Sequence, residues 1–145
     1  MATRSTISIQ NADGTINSVY CHWDGYTSNN GRILITHYNN EERARELISQ
    51  GDISSLGPSI GDKHDFSNAP DGVCTFYGRD RGDKGVETRN FHSFADWSNF
   101  GQEYDYVFIK GKWMVRCHST DDMLVLVLDQ LASEMVKPER EGVWA

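Results

Sequence analysis

The chain has no CxxC pair, no apolar run of membrane-spanning length and no phosphate-binding glycine signature, and each absence excludes a class of function. Its three cysteines, Cys21, Cys74 and Cys117, form an odd set, which argues against a disulfide framework and for free thiols in a reducing compartment. The longest apolar run covers residues 123–128, far short of the roughly 20 residues a bilayer-spanning helix needs. Residues 1–6 lack the apolar core of a secretory signal. A cytoplasmic location, with no membrane partner, is therefore expected. Neither GxGxxG nor GxxxxGK followed by Ser or Thr occurs, which removes the usual dinucleotide and nucleoside triphosphate fingerprints. HExxH and HxxxH are missing as well, so zinc chemistry has no spacing signal. Ser54-Ser55 lacks a GxSxG nucleophile elbow, and the Gly-bearing run Gly57-Pro58-Ser59-Ile60-Gly61 reads as loop punctuation. No metal and no cofactor is called for.

What remains is ordinary globular material. In 145 residues, 38% are hydrophobic, 24% charged and 11% aromatic, enough for one domain with a real core. The 21 acidic residues outweigh 14 basic ones for a formal charge of −7. That balance disfavours binding to phosphate backbones, and hence nucleic acid as a partner. The acids are scattered among Lys and Arg rather than arrayed, so the chain is no mimic of DNA.

Residues 4–11 alternate, with Ile7 and Ile9 on one side, and residues 16–23 form a second strand candidate. Asp13-Gly14 between them signals a hairpin turn. Residues 31–38 read as either strand or helix, with helix favoured by the spacing of Leu34, His37 and Tyr38. Asn39 caps a clearer helix, with Glu42 three residues on, Ala44, Leu47 and Ile48 as its apolar stripe and Gly51 as its stop. Residues 52–72 form a long excursion rich in Gly, Ser, Asp and Pro, and excursions of that length are often functional. A strand at 73–77, a polar loop at 78–90 and a short helix capped by Ser93 follow. Residues 104–109 and 112–117 flank Lys110-Gly111 as a second hairpin. A last helix is expected to start near Ser119 or Thr120, placing Leu124, Leu128, Leu131 and Met135 on one face until Pro138 ends it. The expected fold is α+β: one domain over 1–137 and a loose tail at 138–145. It holds a mostly antiparallel sheet of about five strands, with three to four helices largely on one face.

Two clusters are candidates for function. His22, Trp23, Asp24 and Tyr26 stand where the second strand ends. Residues two apart on a strand share a face, so His22 and Asp24 are a candidate acid–base pair, and Trp23 and Tyr26 can stack on a flat ligand. The same residues also read as a turn with a core Trp and a surface His. Arg79, Asp80 and Arg81 offer guanidiniums suited to a phosphate or carboxylate, or equally a solvated turn in which the charges neutralise one another. The strand cysteines read as small core hydrophobes. Two Cys-His dipeptides, Cys21-His22 and Cys117-His118, lack zinc spacing.

The run Tyr20-Cys21-His22-Trp23-Asp24-Gly25-Tyr26 and the later Gly51-Asp52-Ile53-Ser54-Ser55-Leu56-Gly57 resemble a group of small accessory proteins of tailed bacteriophages and prophages. The likeness covers about the first 57 residues, with Gly78-Arg79-Asp80-Arg81 as a weaker third block. Thr27 departs from the group, where a Pro is expected. The resemblance implies a phage-encoded protein in a bacterial host, working by counter-defence or host takeover. It assigns no residue a role. The leading expectation is binding, either to a host protein or to a small anionic, nucleotide-like ligand held by His22, Trp23, Asp24, Tyr26, Arg79, Asp80 and Arg81. The alternatives are a small nucleotide hydrolase using His22 and Asp24, and a virion or assembly component; whether the chain is an enzyme stays open.

Overall fold

The computed structural model describes residues 2–118 and 123–134. The opening hairpin is present: β1 (Ser5–Gln10) and β2 (Ile16–Cys21) run antiparallel with Ser5 opposite Cys21 and Gln10 opposite Ile16. The turn is closed by Asn11 N–H to Thr15 O at 2.7 Å, with Gly14 at φ +89°, a left-handed geometry that glycine adopts without steric cost.

A π-helical turn, Thr27–Gly31, runs into α1 (Arg32–His37), so the ambiguous segment is helical. In α2 (Glu41–Ile48) the cap is Asn40, one residue later than expected, its side chain accepting from Arg43 N–H. Next come β3 (Ile53–Ser55), β4 (Thr75–Phe76), α3 (Tyr77–Arg81), β5 (Arg89–Phe91) and α4 (Phe94–Asn99). The second hairpin, β6 (Tyr104–Ile109) and β7 (Lys112–Cys117), pairs Ile109 with Lys112 and Tyr104 with Cys117. Then β8 (Leu124–Leu126) adds to β7, and residues 127–134 are helical.

The α+β class holds, with corrections. Among the described residues the sheet has eight strands, in the order β4-β3-β2-β1-β6-β7-β8, and β5 pairs with the part of β2 that β3 leaves open. It is mixed, because β1–β6 and β2–β3 are parallel. Strands of two or three residues carry too little alternation to be read from sequence. The helix expected through Leu124 is instead a strand as far as Leu126. Leu124 and Leu126 hydrogen-bond along the outer edge of β7, an edge whose backbone groups need partners. The expected start at Ser119 or Thr120, Met135 and the tail at 138–145 lie outside the described residues. Residues 78–90 are not all loop, since α3 occupies their start.

As expected, the helices lie largely on one face: α1, α2 and the helix at 127–134 share it, and α4 covers the other. Ile7 and Ile9 of β1, with Tyr106 and Phe108 of β6, join Leu34, Leu47, Ile48, Val127 and Leu131 in the larger core. On the opposite face Trp97 of α4 packs with Ile16 and Val107. This second face is partly polar. Ser8 bonds Ser18 at 2.7 Å and accepts the Trp97 indole N–H at 2.9 Å, so these buried polar groups satisfy one another. The alternation of β1 therefore faces two covered sides, not one covered and one wet.

Candidate functional site

The parallel strands β1 and β6 begin, and β2 and β7 end, at one end of the sheet. The loop carrying His22, Trp23, Asp24 and Tyr26 crosses this end, and its backbone is tied on every side. His22 and Trp23 donate to Ile53 O and Ser54 O, both at 3.0 Å, and Gly25 donates to Thr3 O at 2.8 Å. The Tyr106 hydroxyl donates to Gly25 O at 2.6 Å, and Asn30 Nδ2 reaches Trp23 O at 3.5 Å. Asp24 sits at φ +57°, a conformation that Asp tolerates in tight turns. Gly25 is there because of space: a Cβ would lie 2.8 Å from both Ser5 Cβ and Thr3 O. On this fixed backbone two large side chains face water, Trp23 at 43% and Tyr26 at 39% exposure.

The structure does not join His22 to Asp24. His22 Nδ1 lies 2.6 Å from the Tyr20 hydroxyl, because Tyr20 is the residue that shares its strand face. Asp24 lies beyond the strand and accepts from the Tyr26 hydroxyl at 3.4 Å. The His22 ring stands edge-on to Trp23, with centroids 4.6 Å apart.

Arg79, Asp80 and Arg81 form a separate cluster on α3. The Arg79 guanidinium donates to Ile60 O and Gly61 O at 2.8 Å, to Cys74 O at 3.1 Å and to Asp80 at 3.0 and 3.2 Å. It therefore staples the long excursion to the sheet. Arg81 forks onto Asp83 at 2.8 and 3.0 Å and stacks on Phe66. Asp80 is buried and accepts from Phe76 N–H, His64 N–H and Arg79. Burial pushes its carboxyl up, but the hydrogen bonds from Arg79, Phe76 and His64 outweigh this and hold it below the usual carboxylate value. The Arg79 guanidinium is engaged inside the fold, and that of Arg81, half exposed, is paired with Asp83 at the surface.

Residues of the runs 20–26 and 51–57 have architectural work. Asp52 accepts Tyr20 N–H at 2.9 Å and a bidentate pair from Arg89 at 2.8 and 3.1 Å, locking β5 to β2. Gly57 passes so close to Gly72 that a Cβ would meet its carbonyl oxygen at 2.9 Å.

A constellation not foreseen stands beside the aromatic loop. Asp105, on β6, is fully buried and accepts from Thr6 Oγ1 at 2.8 Å and Gln102 N–H at 2.9 Å. Its other oxygen takes Arg116 Nη2 at 2.9 Å and His118 Nε2 at 2.6 Å. A carboxylate only accepts, so it fixes the proton of His118 on Nε2 and places the basic nitrogen of the neutral ring at Nδ1. Gly101 closes over the cluster, where a Cβ would meet His118 Nε2 at 2.7 Å. The signal was present in the hairpin: counting back from Lys110-Gly111 sets Asp105 opposite Arg116, a charged pair inside two apolar strands. His118 then lines a groove of about 550 Å³ with Thr3, Tyr26, Glu103 and Tyr104.

The cysteines are all buried. Burial pushes the Cys21 thiol up to about 12 and raises Cys74 as well, which leaves them inert at neutral pH. Among the described residues, no group of three or more His, Cys, Asp or Glu side chains could hold a metal ion, and no helix is long and apolar enough to cross a membrane. No family model, no curated protein and no solved structure matches this chain.

Proposed function

We propose that the protein acts by binding another protein through the anchored aromatic loop at residues 22–26. One observation carries this reading: Trp23 and Tyr26 are 43% and 39% exposed on a backbone that hydrogen bonds hold from Thr3, β3 and β6. Large aromatics presented this way lose little conformational freedom on association, and such residues dominate binding energies. Capture of a small anion draws less support, because Arg79 and Arg81 already serve Asp80, Asp83 and backbone carbonyls. The phage context, with counter-defence or takeover of a host component in the bacterial cytoplasm, rests on the sequence resemblance alone.

The test is affinity purification from phage-infected host cells with the wild-type chain and Trp23→Ala as paired baits. A stoichiometric partner held by the wild type and lost by Trp23→Ala supports the reading. Equal retention by both would remove the loop from the interface.

A second reading, acid–base hydrolysis of a nucleotide-type substrate, is favoured by the His118–Asp105 pair at 2.6 Å; His22 and Asp24 form no such pair. It requires turnover of a phosphodiester or phosphoanhydride panel that His118→Ala abolishes, and it falls if turnover is absent.

A further inference from the structure

We infer that the groove beside the aromatic loop is a receptor for an arginine side chain projecting from a partner protein. The inference rests on the binding reading above and names the chemistry that would engage it.

The lining residues are Thr3, Tyr26, Glu103, Tyr104 and His118. Two are tyrosines, whose ring faces attract cations, and one is a carboxylate. Among the described residues, no Lys or Arg lines the groove. Glu103 is exposed, and among the described residues its Oε1 accepts one long contact, from Arg4 N–H at 3.2 Å. A carboxylate offers about four lone-pair sites, so capacity remains for a forked guanidinium. The side chain of Arg4 has Tyr20 as an electrostatic partner. His118 is turned onto Asp105. Further carboxylates surround the site: Glu134 accepts from Thr27 Oγ1, and Asp24 lies in the adjoining loop. The Tyr104 hydroxyl registers this field; burial first, and then the charges of Cys117, Glu134 and Glu103, raise it above the usual phenol value.

Arginine fits this chemistry better than lysine. Its planar guanidinium stacks on an aromatic face and forks onto a carboxylate in one pose, and it sheds water more easily than an ammonium. The backbone beneath the groove is rigid: Tyr104 N–H bonds Arg4 O at 3.3 Å and His118 N–H bonds Glu103 O at 3.1 Å. The net charge of −7 would draw a basic partner surface toward it. Trp23 would then supply apolar contact area next to the arginine anchor.

The probe is N-acetyl-arginine methylamide, titrated at low salt against the whole chain while amide and tyrosine-ring resonances are followed by NMR. The matched controls are the citrulline analogue, which keeps the shape and loses the charge, and the lysine analogue. Saturable shifts at Tyr26, Glu103 and Tyr104 with arginine are expected, with citrulline weaker by about tenfold or more. Glu103→Gln keeps an oxygen for Arg4 N–H, so the fold stays, and it should weaken arginine by about tenfold. Equal response to arginine and citrulline, shifts confined to other surfaces, or no effect of Glu103→Gln would overturn the inference. Lysine binding as tightly as arginine would overturn the guanidinium assignment. The two readings separate cleanly: a partner lost with Trp23→Ala but indifferent to Glu103→Gln keeps the aromatic interface and eliminates the arginine receptor.

Discussion

The Asp80 cluster predicts a stability profile with two limbs that separate substitutions can remove. Asp80 has no exposed side-chain surface and Arg79 has 15%. Asp80→Asn keeps the shape, removes the charge facing Arg79 and puts an amide where an acceptor is needed. Breaking a buried pair by losing one partner costs about 3 kcal/mol, which for a chain of this length lowers Tm by about 10 °C. His64 stands on the other side. Its Nδ1 lies 2.8 Å from Asp65 O and its Nε2 2.9 Å from Cys74 O, with Asp80 Oδ2 at 3.5 Å. Both ring nitrogens thus face acceptors, and only the imidazolium can donate from both. The Cys74 and Asp65 carbonyls accordingly raise its pKa, and the opposing effect of burial is smaller.

The signs are opposite. Asp80 is lowered in the fold, so its contribution is present above the unfolded value of about 3.9 and is lost as pH falls through the native one. His64 is raised, so its contribution is complete below about pH 6.5 and is lost as pH rises through its native value. Urea unfolding followed by tryptophan fluorescence, repeated across pH 2.5 to 9 (an experimental range of about seven units), gives difference curves against each variant. Subtracting His64→Gln from the wild type should leave a curve that falls only on the alkaline side. The Asp80→Asn difference should fall on the acid side. If Asp80→Asn costs under about 0.5 kcal/mol, or its difference curve is flat in acid, the cluster is a solvated turn and the argument is refuted.

Three other outcomes follow from the geometry. Gly25→Ala places a methyl 2.8 Å from Ser5 Cβ and Thr3 O, which should cost about 1–3 kcal/mol by denaturant titration and shift Trp23 emission as the loop moves. Asp105→Asn removes the carboxylate shared by Arg116 and His118 and should destabilise by about 3 kcal/mol, while Asp24→Asn, on an exposed site, should stay within about 0.5 kcal/mol. Cys21, Cys74 and Cys117 are all buried, so iodoacetamide at pH 8 (about the ordinary range of a thiol) should label them only at the rate of unfolding; fast labelling of the native chain would contradict the packing.

The difference between what the chain disclosed and what it concealed follows from range. Both hairpins were legible because their information is local: Asp13-Gly14 and Lys110-Gly111 each sit between alternating strands. The Ser93 cap was legible for the same reason, its side chain accepting Asp96 N–H. The short strands β3, β5 and β8 exist because distant edges recruit them. Ile53 pairs with Cys21, Arg89 with Ser18 and Leu126 with Met114, and nothing within three residues encodes those partners. Leu124 illustrates the conflict, since its spacing to Leu128 and Leu131 fits a helix as well as its neighbours fit a strand. The site residues divide along the same line. Exposed aromatics in a turn announce themselves, whereas Arg79 looks available until Ile60, Gly61 and Cys74 close around it. Asp105 and Arg116 were the recoverable exception. A turn of known length fixes hairpin register, and a charged residue on each strand at mirrored positions already specifies a buried pair before any coordinate is known. That rule carries the search for the site from a list of polar residues to a place in the fold, at the end of β7 where His118 opens onto the groove.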